Sequence, residues 1–292
     1  MPTHTPVPPA SLSLASPSGD LPPAGSVQVD SVQTGSAQSG PFQGGRPGAA
    51  TCPPRLVIVH PEHVIADAIA ARLLTRLLDM QSVRRPVHLA LTGGSLGIEL
   101  LAAAARSPLL DAVDWTGVHL WWSDERYLPA GDGDRNEVQA REALIDLLTS
   151  QQGLPVTHVH TVTGPDASAD VDQAAQLYAD ALAGVTMDIT LLGMGPDGHV
   201  ASLFPGQPAL EVSGVATVAV TQSPKPPAQR VSFTFDSINA SREVWLVVSG
   251  AGKAGPVAAA LAGAPIKEVP AAGVHGTDRT LWLLDTAAAD AP

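Results

Sequence analysis

HLALTGGSLGIELLAAAA, residues 88–105, reads as strand, turn and helix in immediate succession. His88–Leu91 is a short apolar strand, Thr92-Gly93-Gly94-Ser95-Leu96-Gly97 a glycine-rich turn, and Ile98–Ala105 a helix. A strand that feeds straight into a helix opens a β-α-β unit, and such units build parallel sheets. The same grammar runs outward in both directions. Upstream, Leu56-Val57-Ile58-Val59 is a continuous apolar run, as expected of a strand covered on both faces. Pro61 then suits the first position of a helix, on which Ile65, Ile69, Leu73 and Leu77 form one apolar stripe. Downstream come strand Val118–Trp122, helix Glu137–Leu148, helix Val171–Ala183, strand Ile189–Leu192, and strands near Val215–Val220 and at Val231–Phe235. Strand Val244–Val248, helix Ala254–Ala262 and strand Thr280–Leu284 complete the series. The pattern predicts an α/β fold: a Rossmann-like three-layer sandwich, its sheet mostly parallel, with helices on both faces. In such open sheets ligands bind beyond the carboxyl ends of the strands. The loops after Leu91, Trp122, Leu192 and Val248 should therefore converge on one crevice.

Composition narrows the class. The 292 residues carry 16 Lys+Arg against 28 Asp+Glu, a formal charge of −12, which argues against a nucleic-acid partner. Hydrophobic residues make up 45%, with no apolar run long enough for a membrane span. A single cysteine, Cys52, can form neither an internal disulfide nor a cysteine zinc site, and fits a reducing, cytoplasmic setting. Residues 1–54 differ from the rest: 11 Pro, 7 Gly and 8 Ser, with only Asp20, Asp30 and Arg46 charged. Such a stretch buries too little apolar surface to offset the entropy of ordering it, and the expectation is a disordered tail. Residues 55–292 then form one domain, expected as a monomer.

Four loops carry residues suited to chemistry. In Thr92–Gly97 the glycines let backbone N–H groups approach an anion, and the helix that follows adds partial positive charge; the hydroxyls of Thr92 and Ser95 are further donors. The stretch matches neither a P-loop nor GxGxxG, so phosphate binding and a plain tight turn both remain open. Ser123-Asp124-Glu125-Arg126 is either an acid/base group beside a substrate clamp or a solvated turn with a local ion pair, and Asn136 downstream is a cap or a ligand contact. The tryptophans at 115, 121 and 122 read as packing. LLGMGPDGHVASLFPG, 191–206, is the most informative block: an extended backbone would place Asp197 and His199 on one side, and a neutral imidazole there can take a proton from water. His88 and His119 sit within strands as packing residues, and His158 with His160 lacks a third ligand at metal spacing, so no metal is expected. Finally, Arg230 opens a strand and Lys253 follows Gly250-Ala251-Gly252 at a strand-to-helix junction; with Arg126 they form a candidate phosphate cluster.

Taken in order, LALTGGSLG (89–97), WWSDERYLP (121–129), Asn136, LLGMGPDGHVASLFPG, RVSFTFDSINAS (230–241), VWLVVSGAGKAGPV (244–257) and TLWLLD (280–285) resemble the 6-phosphogluconolactonases of the pentose phosphate pathway. The chain departs from that family where its glycine loop commonly reads GGST-P, since Leu96-Gly97 follow Ser95 here. The resemblance implies a fold shared with glucosamine-6-phosphate deaminases, hydrolysis of 6-phospho-D-glucono-1,5-lactone, and no cofactor. It also implies His199 as the general base and Gly93, Gly94, Ser95, Arg126, Arg230 and Lys253 as substrate contacts, with Asn136 beside them. Asp124 and Asp197 would orient water, sugar hydroxyls or the imidazole. An aldose–ketose isomerase of the deaminase type is the nearest rival, but its MDEY and AFNEP stretches are replaced by SDER and ASLFP. A sugar-phosphate sensor without catalysis is the other rival, and the presence of both Asp197 and His199 weighs against it.

Overall fold

Alternation along each central strand sorts the core into two halves. The computed structural model describes residues 55–290. Strands β1 (Arg55–His60), β2 (Val87–Leu91), β3 (Val118–Trp122), β5 (Ile189–Gly193), β8 (Glu243–Val248) and β9 (Arg279–Asp285) form a six-stranded sheet in the order β1-β9-β8-β5-β2-β3. Every neighbouring pair in it is parallel. Leu89, Leu91, Trp122, Trp245, Leu281 and Leu283 point to one face, where they pack with α1 (Ile65–Gln81), α2 (Ser95–Ala105) and the stretch from α3 (Asn136–Ala140) to α4 (Asp146–Gln151). Ala90, Trp121, Leu192, Leu246, Trp282 and Leu284 point to the other, against α5 (Val171–Ala181), α6 (Phe235–Ala240), α7 (Ala254–Leu261) and α8 (Thr286–Ala289). Side chains that alternate between two buried layers are the mark of a sheet covered on both faces. The expected three-layer architecture is present, and Trp115, Trp121 and Trp122 are core residues.

Three expectations need correction. The first strand is not covered on both faces. β9 inserts between β1 and β8, which leaves β1 at the sheet edge with Leu56, Val57 and Val59 almost half exposed. Pro61 precedes a short 3₁₀ turn, Glu62–Val64, rather than opening α1. The third correction matters most for function. The strands expected near 215–220 and at 231–235 do not join the parallel sheet. β6 (Thr217–Val220) and β7 (Arg230–Phe233) pair antiparallel with each other, and β7 pairs antiparallel with β4 (Asp124–Arg126), a segment that reads as a turn in sequence. Ser123 joins the two sheets: its N–H donates to Leu91 O at 2.9 Å, and its carbonyl accepts the Phe233 N–H at 2.8 Å. The chain thus steps from β3 into the small sheet without a loop. The helix expected over 137–148 runs from Asn136 to Gln151 through a wide turn at Arg141–Ile145. The reading of residues 1–54 as a disordered tail lies outside the described residues.

Candidate active site

A cleft of about 310 Å³ opens at the carboxyl ends of the parallel strands, where the glycine loop after β2, the loop after β5 and the turn after β8 meet the small sheet. Nine of the ten expected site residues line it: Gly93, Gly94, Ser95, Asp124, Arg126, Asn136, His199, Arg230 and Lys253. The tenth, Asp197, stands behind His199 and bonds to its ring.

β5 delivers the imidazole. Beyond Met194 the chain makes a tight turn in which the Gly198 N–H donates to Gly195 O and the Gly195 N–H donates to His199 O, both at 3.0 Å. This turn brings Asp197 and His199 together, in place of the extended backbone expected from their spacing. The Asp197 carboxylate lies 2.5 Å from His199 Nδ1. A carboxylate only accepts, so Nδ1 carries the proton toward it and Nε2 keeps its lone pair. Phe204 packs against the ring at 4.5 Å between centroids. Gly195 allows this closeness, because a Cβ there would lie 2.1 Å from the imidazole and 2.4 Å from Asp197. Burial alone would raise the Asp197 carboxyl, but the His199 hydrogen bond, the charge His199 carries once protonated in acid, and the Lys225 charge outweigh it and hold it down at about 2.

The small sheet delivers cations. Its register sets Arg126 directly opposite Arg230. Like charges facing each other across strands destabilise a sheet, so the pair calls for compensating negative charge. Asp124 meets only part of that demand, with Oδ2 3.9 Å from Arg230 and committed to the Ser202 hydroxyl at 2.7 Å. Arg230 is mostly occupied by its own chain: Nε donates to Pro227 O at 3.2 Å, and Nη2 to Lys225 O at 3.2 Å and Pro226 O at 3.0 Å. It therefore clamps the β6–β7 connection and offers the cleft mainly Nη1.

That connection carries a residue absent from the sequence-based expectations. Lys225 lines the cleft, with Nζ 3.5 Å from His199 Nδ1 and 3.9 Å from Asp197 Oδ1. Its only signal in sequence is a lysine among prolines, Ser223-Pro224-Lys225-Pro226-Pro227, just before Arg230. From the parallel sheet, Lys253 completes the group; burial first, then the Lys225 charge, lower its ammonium below the usual lysine range, with Asp285 opposing.

The glycine loop begins α2 at Ser95. Gly93 is held against Asn136, whose Oδ1 would lie 2.0 Å from any Cβ at that position. The Thr92 hydroxyl accepts the Gly193 N–H at 3.0 Å, which ties β2 to β5, and its own proton lies toward Gly93 O at 3.4 Å. His158 and His160 pack among other rings. His119 Nδ1 lies 2.9 Å from His160 Nε2, His158 stacks on His119, and Trp121 stacks on His160. Among the described residues no cluster of three or more His, Cys, Asp or Glu is placed to hold a metal ion.

Residues 61–282 match the family described as glucosamine-6-phosphate isomerases/6-phosphogluconolactonase. The chain belongs to this family. Within it, the chain is 46% identical over 248 residues to a 6-phosphogluconolactonase of Streptomyces coelicolor, an alignment spanning 81% of this chain and 94% of that one. A 6-phosphogluconolactonase of Mycobacterium leprae is 43% identical over 235 residues, 77% of this chain and 93% of that one. Among solved structures, the Trypanosoma brucei 6-phosphogluconolactonase superposes with a TM-score of 0.70 at 26% identity, covering 81% of this chain and 98% of that one. The family's α/β fold is the one described above, and no helix among the described residues is long and apolar enough to cross a membrane.

Proposed function

We propose that the protein hydrolyses 6-phospho-D-glucono-1,5-lactone to 6-phospho-D-gluconate, in the oxidative branch of the pentose phosphate pathway. One observation carries the reading: an aspartate-held imidazole shares a cleft with Arg126, Lys225, Arg230 and Lys253, four cations in a chain of net charge −12. A lactone is an activated ester, so water suffices as nucleophile. His199 Nε2 takes a proton as the water oxygen bonds to C1, and the lactone carbonyl becomes an oxyanion. When the C1–ring-oxygen bond breaks, the imidazolium returns that proton to the departing ring oxygen, which becomes the 5-hydroxyl. The new carboxylic acid loses its proton to solvent. Asp197 holds the ring in the productive tautomer and offsets the charge it gains. General-base assistance of this kind contributes about 10²–10⁴-fold. The cations and the glycine loop grip the phosphate and position C1. The cleft residues all lie between Thr92 and Lys253, and on this reading residues 55–292 are the catalytic domain of a monomeric enzyme, with the single Cys52 suiting a cytoplasmic setting.

The lactone also opens spontaneously, so the test is an NMR time course on freshly made lactone with protein and in buffer alone. Faster loss of the lactone signal, matched by 6-phosphogluconate, is expected; equal rates would overturn the reading. Ammonia release from glucosamine 6-phosphate should stay at background.

A further inference from the structure

Glu125 is a carboxylate the chemistry above does not use, yet it sits at the centre of the site's framework. It is 1% exposed. Oε1 accepts the N–H groups of Arg126 at 2.7 Å and Asn136 at 2.8 Å, and Oε2 accepts the N–H of Glu137 at 2.8 Å. Burial pushes its carboxyl up to about 7, against the opposing pull of Arg135 and the three N–H donors. Such a group is costly to bury, and a solvated turn at 123–126 would not require it.

The three bonds join two elements that are separate in the chain. β4 carries Arg126, and the first turn of α3 carries Asn136. The Asn136 amide then reaches back, with Nδ2 donating to Asp124 O at 2.9 Å. Its other end is unpaired: Asn136 Oδ1 is buried against Gly93 and has no hydrogen-bond partner, in a residue that lines the cleft. A buried acceptor without a partner calls for a donor, and the hydroxyls of a sugar phosphate are donors of the right kind.

We infer that Glu125 is a positioning residue for the substrate: one carboxylate fixes the backbone of Arg126 and of Asn136, so that guanidinium and amide oxygen face the same sugar phosphate in a set geometry. The nature of that ligand rests on the lactonase reading; the hydrogen-bond geometry does not. Glu125 touches no substrate and works through those two neighbours. Its other charged surroundings are Arg135 and Arg230.

The test compares Glu125→Gln, Glu125→Ala, Asn136→Ala and the double alanine variant. The readouts are KM and kcat on the lactone and the Kd of 6-phosphogluconate by titration calorimetry. Losing binding contacts made alike in ground and transition state raises KM and leaves kcat unchanged, so Glu125→Ala should raise KM and Kd together by about tenfold with kcat within roughly threefold. Glu125→Gln keeps the volume and one acceptor oxygen but sets an amide donor against a backbone donor, so it should fall between wild type and Ala. The double variant should lose less than the product of the two single effects, because both substitutions disturb one device. A folded Glu125→Gln with wild-type KM and Kd, a loss confined to kcat, or fully multiplicative effects would each overturn the assignment. Should the alanine variant fail to fold, the Gln variant alone decides. If wild type does not speed lactone opening yet Glu125→Gln weakens 6-phosphogluconate binding, the enzymatic reading fails and the positioning role stands.

Discussion

The two sheets of this protein divide the work of the cleft. The parallel sheet delivers its residues from the ends of buried strands: His199 and Asp197 after β5, the glycine loop after β2, and Lys253 after β8. The antiparallel sheet holds its residues within strands and their connection: Asp124 and Arg126 in β4, Arg230 in β7, Lys225 between β6 and β7. The large sheet is stabilised by two layers of apolar packing and can hold a sharp turn at its rim. The small sheet is short, and its register brings two arginines face to face. Chemistry should therefore depend mainly on the first, and grip on the phosphorylated end mainly on the second.

The largest test of that division is His199→Ala. It should lower kcat by about 10²–10⁴-fold, the usual worth of a general base, with 6-phosphogluconate affinity within roughly twofold of wild type. Turnover left intact would end the claim that the chemistry comes from the β5 turn. Next in size is Arg230→Ala, which removes both a cation and the clamp on residues 225–227. KM should rise on the order of tenfold to a hundredfold while kcat changes little, since the lost interactions act on ground state and transition state alike. Arg230→Lys should recover only part of this, because an ammonium on a flexible stem cannot hold three carbonyls as the planar guanidinium does. Full recovery would mean that charge alone matters there. The smallest effect is a pH dependence of stability. The Asp197 carboxyl is held at about 2, below the ordinary 3.8. A depressed carboxyl stabilises the fold fully above its unfolded value and loses that contribution as pH falls toward 2. The difference in Tm between wild type and Asp197→Asn should thus be widest near neutrality and shrink below about pH 4. A gap that widens on acidification would show that the pair does not act as described.

The same contrast explains what can be read along the chain. Central strands such as Leu89–Leu91 and Leu281–Leu284 are legible because burial on both faces demands unbroken apolar runs. The position of β1 is not: Leu56-Val57-Ile58-Val59 has the composition of a central strand, and its place at the edge follows from β9, more than two hundred residues away, taking the slot beside β8. β4 is harder still, since Asp124-Glu125-Arg126 has the composition of a solvated turn and becomes a strand only by pairing with β7. Lys225 lies in a proline-rich segment without periodicity, and its nearness to His199 depends on the carbonyl clamp made by Arg230.

Periodicity and glycine placement, both local properties of the chain, were enough to indicate the layered α/β architecture and the end of the sheet at which ligands gather, and the family resemblance of the motifs supplied ten candidate residues, nine of which line the cleft. Contacts between elements, whether across 11 residues as for Glu125 and Asn136 or across more than a hundred as for β4 and β7, are not encoded in any local pattern. The antiparallel sheet, the exposed edge at β1, the arrival of Lys225 beside the imidazole and the buried grip of Glu125 on α3 were therefore decided only when the folded chain brought those backbones into hydrogen-bonding range.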